Sequence, residues 1–318
     1  MRGFLFHRLL ALLPVLLVVS IVVFCLVHLA PGDPVLVILG NDASPADIAG
    51  LRQQMGLDQP VMVQFFRWFG AVLRGDLGHS LFLDTSVMGL FLQHLAPTLS
   101  LALYAQVIAL TLGLTGGVVS AWQHGRLADR SIRALATLGM SVPGFLLGLL
   151  LIFVFAVQLR WFPVVGYRST HNDLLLNLWY LTLPAIALGF RIAALIARMT
   201  RAVMLDVLQE NFINTARAKG VPERRVLLRH TLKNALIPVL TICGESFAGL
   251  ITGTIVIESV FGIPGVGSLI VDSIERRDVT VIQGVVLLIT VCYVLINLAV
   301  DVLNYFADPR LSLEGGEN

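Results

Sequence analysis

The stretch Asn214-Thr215-Ala216-Arg217-Ala218-Lys219-Gly220-Val221-Pro222-Glu223-Arg224-Arg225-Val226-Leu227-Leu228-Arg229-His230-Thr231-Leu232-Lys233-Asn234-Ala235, with Leu236-Ile237-Pro238 after it, lies between two long apolar runs. It reads as helix, tight break, helix. Val203/Val207 and Leu208/Phe212 at i, i+4 spacing carry the first apolar run onward as a helix that leaves the membrane. Gly220 suits the left-handed residue that ends a helix. Pro222 suits the first position of the next helix, and Glu223 complements the dipole of its first turn. Ala216, Ala218 and Gly220 are small enough to let another backbone approach closely. The second helix is basic on one side and carries Leu228 and Leu232 on another. Such an element fits a groove on a partner protein, where Arg224, Arg225 and Arg229 can reach acidic groups. A loop that only sets membrane topology would also be rich in arginine. The glycine break, the small-residue patch and the proline at the return to the membrane argue for more than that.

The surrounding composition demands a bilayer. Of 318 residues, 57% are hydrophobic and 13% charged, and the mean hydropathy is +0.85. Soluble domains are about 45–50% apolar and about 25% charged. A water-soluble fold of this length would lack the polar groups to cover its surface, so the apolar excess must face lipid. A net charge of +2 does not indicate a nucleic-acid binder. Cys25, Cys243 and Cys292 each sit inside an apolar run and read as buried thiols. The seven histidines show no metal-binding spacing, so no metal site is expected.

About 20 apolar residues are needed to cross a bilayer as a helix. Six runs qualify: Leu9–Ala30, Thr98–Trp122, Ile132–Leu159, Leu181–Thr200, Leu236–Val260 and Ile282–Phe306. The first run exceeds a secretory h-region and no small-x-small cleavage site follows it, so an uncleaved span is expected. Pro143 should kink the third span. This reading divides the chain into four parts: an N-terminal transmembrane helix 1–30, a segment 31–97, a five-helix core 98–306 containing the loop 201–235, and a tail 307–318. Within 31–97, Val61–Leu73 with Phe65, Phe66, Trp68 and Phe69 reads as a short amphipathic or interfacial helix. Lysine and arginine collect on the cytoplasmic side of membrane proteins. The loop 198–233 holds eight basic residues, including both lysines, whereas 31–97 holds three arginines against six aspartates. Both termini and the basic loop are therefore placed in the cytoplasm.

Two ionisable residues fall inside spans. Arg191 and Glu245 each lie nine residues from the cytoplasmic end of their span, about 13 Å deep at 1.5 Å per residue. An unpaired charge near the bilayer centre costs roughly 2.5–3.5 kcal/mol on insertion scales. These two are expected either to pair with each other or to face a watery lumen. A purely structural pair and a place on a translocation path beside Thr252 and Thr254 both remain open. Glu258 and the turn formed by Gly262, Pro264, Gly265 and Gly267 are expected at the outer end of span five. There they would act as a gate or as ordinary loop punctuation.

At Ala216-x-Ala218-x-Gly220, followed eighteen residues later by Pro238, the chain resembles the EAA loop of binding-protein-dependent ABC importer permeases. It resembles in particular their dipeptide, oligopeptide and nickel branch. His28-Leu29-Ala30-Pro31-Gly32-Asp33-Pro34, Gly56-Leu57-Asp58-Gln59-Pro60 and Gly75-Asp76-Leu77-Gly78-His79-Ser80 carry the same resemblance. So do Glu258-Ser259-Val260-Phe261-Gly262-Ile263-Pro264-Gly265-Val266-Gly267 and Asp308-Pro309-Arg310. Asn214-Thr215-Ala216 departs from the Glu-Ala-Ala start of the motif and removes its acidic residue. The resemblance implies an all-α, six-helix membrane protein with the type I importer permease fold, a periplasmic segment after the first helix, and a coupling helix near Pro222–Lys233. It implies that the chain is no enzyme. ATP and magnesium would be bound by separate ATPase subunits, in keeping with the lack of a G-x-x-x-x-G-K-[ST] phosphate loop here. It also implies two such ATPase subunits, a second homologous permease, a periplasmic or lipid-anchored solute-binding protein, and the bacterial inner membrane as location. The implied cargo is a di- or oligopeptide, with nickel chelates and glutathione as alternatives.

Readings from other classes have less to rest on. An ion-coupled secondary transporter would show inverted repeats with broken helices in both halves, and none is evident. An intramembrane enzyme would need a catalytic cluster at membrane depth, yet Glu245 has no aspartate near it and His28 no metal partner.

Overall fold

Each apolar run becomes helix because only intra-segment hydrogen bonding satisfies the backbone in lipid. The computed structural model describes residues 14–25, 34–40, 43–54, 56–167 and 173–307, and an isolated bridge between His79 and Ser86 is the only extended pairing among them. The helices are α1 (Pro14–Cys25), α2 (Pro34–Leu39), α3 (Pro45–Gln54), α4 (Val61–Leu73) and α5 (Val87–Trp122). They continue as α6 (Leu127–Ser141), α7 (Gly144–Leu151, prolonged by π-helical turns to Gln158), α8 (Leu174–Leu208) and α9 (Asn211–Ala218). After them come α10 (Glu223–Arg225, with π-helical turns to Thr231), α11 (Leu232–Phe261), α12 (Val266–Arg276) and α13 (Val279–Ala307). Among the described residues, three helices are long and apolar enough to cross a membrane, or up to six spans if each of three bent pairs counts as one. The ends of the expected first span, 9–13 and 26–30, and the motifs 28–33 and 308–310 lie outside the described residues.

Several helices begin before the apolar runs do. Helix α5 starts at Val87 rather than Thr98 because Ser86 caps it, its hydroxyl accepting from the Gly89 N–H at 3.2 Å. Helix α8 starts at Leu174 because the Asp173 carboxylate accepts from the Leu176 N–H at 3.0 Å. At Pro143 the expected kink is a full break, with α6 and the helix after it meeting at 106°. Proline removes a donor there and Val142 adopts an extended conformation.

The described residues form two compact units, one from 1–96 with 268–294 and the other from 97–267 with 295–318. In the first, α4 covers the stretch Val61–Leu73 where a short helix was expected, and it has no buried residue. Its Phe65 meets Phe24 of α1 edge-on and its Trp68 lies tilted against the same ring, with centroids 5.3 and 5.6 Å away. Buried Asp278 ties the 78–86 loop to the start of α13, accepting from the Ser80 hydroxyl at 2.5 Å and the Leu81 N–H at 3.2 Å.

In the second unit, α8 is the central post. Gly113 and Gly117 of α5 let that helix approach α8 so closely that an added Cβ would meet Ile196 at 2.7 Å and Thr200 at 2.5 Å. Small residues at such crossings are how helices associate in lipid, where burial alone gives no drive. At one end of α8 a buried polar knot joins three helices. Asp129 of α6 accepts from Arg201 Nε and Nη2 at 2.8 and 3.1 Å, from the Ser120 hydroxyl at 2.6 Å and from the Gly125 N–H at 2.9 Å.

Candidate functional site

Two features of the second unit are built for function: an elbow between α8 and α11, and a cavity against the middle of the same two helices.

The elbow is the helix–break–helix of residues 211–235. Gly220 has φ +75°, the left-handed conformation, and the Gly220 and Val221 N–H groups donate back to the carbonyls of Arg217 and Ala216. This is a Schellman stop, which favours glycine because no Cβ must be accommodated. The stop is bracketed by an ion pair: Arg217 donates to both Glu223 oxygens, at 2.7 and 3.2 Å. That contact holds the Glu223 carboxyl below its ordinary value and raises the Arg217 guanidinium above its own. Pro222 stands as the N-cap rather than the first helical residue, accepting from the Arg225 and Val226 N–H groups. Leu208 and Phe212 do not share one helix, because the chain turns at Gln209–Glu210 before α9.

What anchors the elbow is apolar. Ile213, Val226 and Leu227 are buried, and Leu227 packs with Ala121, Met204 and Ala235. Full burial of one such side chain is worth about 1.5–3 kcal/mol, and Leu227 fixes the elbow to the ends of α5 and α8 through Ala121 and Met204. The outward side is left bare. Ala218, Gly220, Pro222, Glu223, Arg224, Arg225 and Arg229 are exposed, Ala216 is half-buried, and Leu228 is 47% exposed. Among the described residues, Arg224, Arg225 and Arg229 form no ion pair.

The cavity, about 500 Å³, is walled by Met140 of α6, Gly144 and Phe145 of α7, Leu188 and Arg191 of α8, and Ser246, Gly249 and Gly253 of α11, with further apolar neighbours. Arg191 therefore stands on it. Glu245 is exposed on α11 one turn before Gly249 and does not line the cavity, and no ion pair joins it to Arg191. An exposed guanidinium on an otherwise apolar wall is tolerable at membrane depth only where water or another polar chain reaches it.

The remaining expected positions lie elsewhere. The side chain of Thr252 is outside the described residues, and Thr254 is buried with its hydroxyl donating to the Ile251 carbonyl. Glu258 is fully buried rather than open to a path. It accepts from the Thr98 hydroxyl at 2.7 Å, and that hydroxyl in turn accepts from the Val266 N–H at 2.8 Å. Gly262 ends α11 at φ +60°, and Gly265 lies so close to the Glu258 carboxyl that any side chain there would collide with it. Gly267 leaves the same carboxylate only 2.8 Å from where a Cβ would be. The Gly262–Gly267 turn is thus clamped onto α5 and α11 by one carboxylate. Sequence reading missed Met140, Gly144, Ser246, Gly249 and Gly253. The Gly249/Gly253 spacing on one face of α11 was the available signal.

Apolar helices around a cavity carrying a cation, with a cationic elbow fixed outside them, fit a transport permease of the membrane. The chain belongs to the family described as "Binding-protein-dependent transport system inner membrane component", which it matches over residues 113–313, and it matches the N-terminal component of such systems over residues 1–102. It is 42% identical over 311 residues to "Probable peptide ABC transporter permease protein y4tP" of Sinorhizobium fredii, covering 98% of this chain and 99% of the other. It is 43% identical over 311 residues to "Glutathione transport system permease protein GsiC" of Escherichia coli K12, with the same coverage. Two structures of inward-facing conformations of the MetNI methionine ABC transporter share its fold, with TM-scores of 0.57 and 0.58 at 19% and 20% identity, over 70% of this chain and 97% of theirs. The chain is an ABC importer permease subunit of the inner membrane. It works with ATPase, substrate-binding and further permease components, and ATP is bound by the ATPase subunits.

Proposed function

We propose that this chain forms one half of the channel of a peptide importer, glutathione being the alternative cargo. The relatives named for peptide and for glutathione transport support that choice equally. Six spans with both termini in the cytoplasm place the elbow on the cytoplasmic side. A second, homologous permease completes the pore, two ATP-binding subunits sit under the elbows, and a periplasmic solute-binding protein delivers cargo near residues 31–97. The observation that carries this reading is the elbow. Buried Ile213, Val226 and Leu227 fix it to the core, while Arg224, Arg225, Arg229 and Leu228 stand free to seat in an acidic, grooved partner. Closure of the ATPase dimer moves the elbow, and the elbow moves α8 and α11 around Arg191. Glu245 on the adjoining face of α11 extends the same path.

The test is to reconstitute the complete set of subunits in proteoliposomes. ATP-driven uptake of labelled dialanine or glutathione is expected. The triple variant Arg224→Glu, Arg225→Glu, Arg229→Glu should keep its helical circular dichroism yet lose the ATPase subunits on purification. Retention of those subunits at wild-type stoichiometry refutes the elbow's role.

A further inference from the structure

A second cavity, about 320 Å³, lies against α5, α6 and α8, and Met140 lines it together with the first. Arg198 of α8 lines the second cavity as Arg191 lines the first. Seven residues separate them, which is two helical turns on one face and a rise of about 10 Å. Both are exposed, and among the described residues neither is held by an ion pair. Their neighbours differ. Arg201 is committed to Asp129 through two bonds, and Arg133 also leans on that carboxylate at 3.3 Å. Arg191 and Arg198 are thus two unneutralised guanidinium groups in consecutive cavities on one helix.

We propose that Arg191 and Arg198 form a two-step cationic track that receives the carboxylate of the imported peptide and hands it on along α8. This rests on the import reading above and names the chemical group that the path handles. A guanidinium binds a carboxylate through two parallel hydrogen bonds; no other side chain of the first cavity offers that fork, and in the second the guanidiniums of Arg133 and Arg201 lean on Asp129, which leaves Arg198. The spacing makes the transfer sequential. A fully extended dipeptide spans about 7 Å, less than the rise between the two residues, so one carboxylate leaves Arg191 before it reaches Arg198.

The experiment compares uptake of dialanine with that of its C-terminal amide by the complete reconstituted transporter. The ratio of acid to amide is measured in wild type and in Arg191→Gln and Arg198→Gln. Comparing ratios cancels the solute-binding protein's own preference, which is common to all. Each Gln variant is expected to lower the ratio about tenfold, the worth of one charge-assisted contact. Arg191→Lys and Arg198→Lys keep the charge but lose the two-pronged contact, and are expected to fall between wild type and their Gln counterparts. A wild-type ratio in both Gln variants overturns the track, and so does a Lys variant as poor as its Gln counterpart. Equal loss of both cargoes that follows the anionic-lipid content of the vesicles also overturns it, since Arg198 would then serve a lipid headgroup. If the wild-type complex imports neither cargo with ATP, the import reading fails, and the track falls with it.

Discussion

Replacing Asp129 by alanine removes one fully buried carboxylate and strips four hydrogen bonds from Ser120, Gly125 and Arg201, leaving Arg201 Nη2 only its contact with His124 Nδ1 at 2.9 Å. Breaking a buried ion pair by deleting one partner costs about 3–5 kcal/mol, because the other charge stays buried and uncompensated. Arg201 is 18% exposed, so part of that cost is relieved by water, while the Ser120 hydroxyl, also buried, adds about 1 kcal/mol of unmet hydrogen bonding. A loss of about 4 kcal/mol follows. Arg133 touches the same carboxylate from a side chain that is 54% exposed, where an ion pair is worth about 0–1 kcal/mol. Asp129→Ala and Arg201→Ala should therefore each be severely destabilising and Arg133→Ala nearly neutral. A double-mutant cycle between Asp129 and Arg201 should return a coupling of about 2–3 kcal/mol. Unfolding of the purified protein in mixed dodecyl maltoside and dodecyl sulfate micelles, followed by circular dichroism, measures all four. Equal effects of Asp129→Ala and Arg133→Ala, or a coupling below about 0.5 kcal/mol, would refute the idea that this knot fastens α5, α6 and α8.

Further outcomes follow from the other contacts. Gly220→Val forces a branched side chain into φ +75° and should cost about 1–2 kcal/mol in the same unfolding assay, with ATP hydrolysis by the assembled complex responding less to cargo. Thr98→Val removes the hydroxyl that links Glu258 to the Val266 N–H and should cost about 2 kcal/mol, whereas Thr98→Ser should recover most of it. Gly249→Leu introduces no clash near the backbone, since a Cβ there meets nothing within 4 Å, and should leave stability unchanged while its side chain occupies the cavity and uptake falls. The Arg217–Glu223 pair is 41% and 50% exposed, so its stabilisation is small. Because the folded Glu223 value is depressed, that stabilisation is complete above the ordinary carboxylate range and is lost only as pH falls through the lower folded value. Unfolding curves at pH 7 and pH 5.5 should show no difference between wild type and Glu223→Gln larger than their difference at pH 8.

The long helices α5, α8 and α13 were legible because lipid leaves apolar runs few alternatives to helix, and the elbow because Gly220 and Pro222 are strong local punctuation. Helix starts were harder: Ser86 and Asp173 act as caps through single hydrogen bonds, and the hydropathy of the runs that follow does not reveal them. The 106° break at Pro143 was visible as a proline but not in size, since the angle depends on what packs around it. Glu258 misled for a similar reason. An acidic residue near a glycine-rich turn reads as open to water, and only its burial under Gly265 and its bond to Thr98, 160 positions away, turns it into a clamp. Arg191 was legible as a charge inside an apolar run, yet its separation from Glu245 needed coordinates. The cavity's glycines carried a weak period-four signal that composition alone does not separate from ordinary packing.

Residues 223–261 are helical throughout, with a bend of 51° at Pro238. A bent rod behaves as a crank. The arm Pro238–Ile251 is about 20 Å long, so at that inclination its far end stands about 16 Å off the axis of the outer arm. Spinning the outer arm by about 10° would swing that end sideways by about 3 Å, comparable to the width of a water molecule. Gly249 rides near the tip, so a modest twist applied from outside is geared into lateral travel of the surface that borders Arg191.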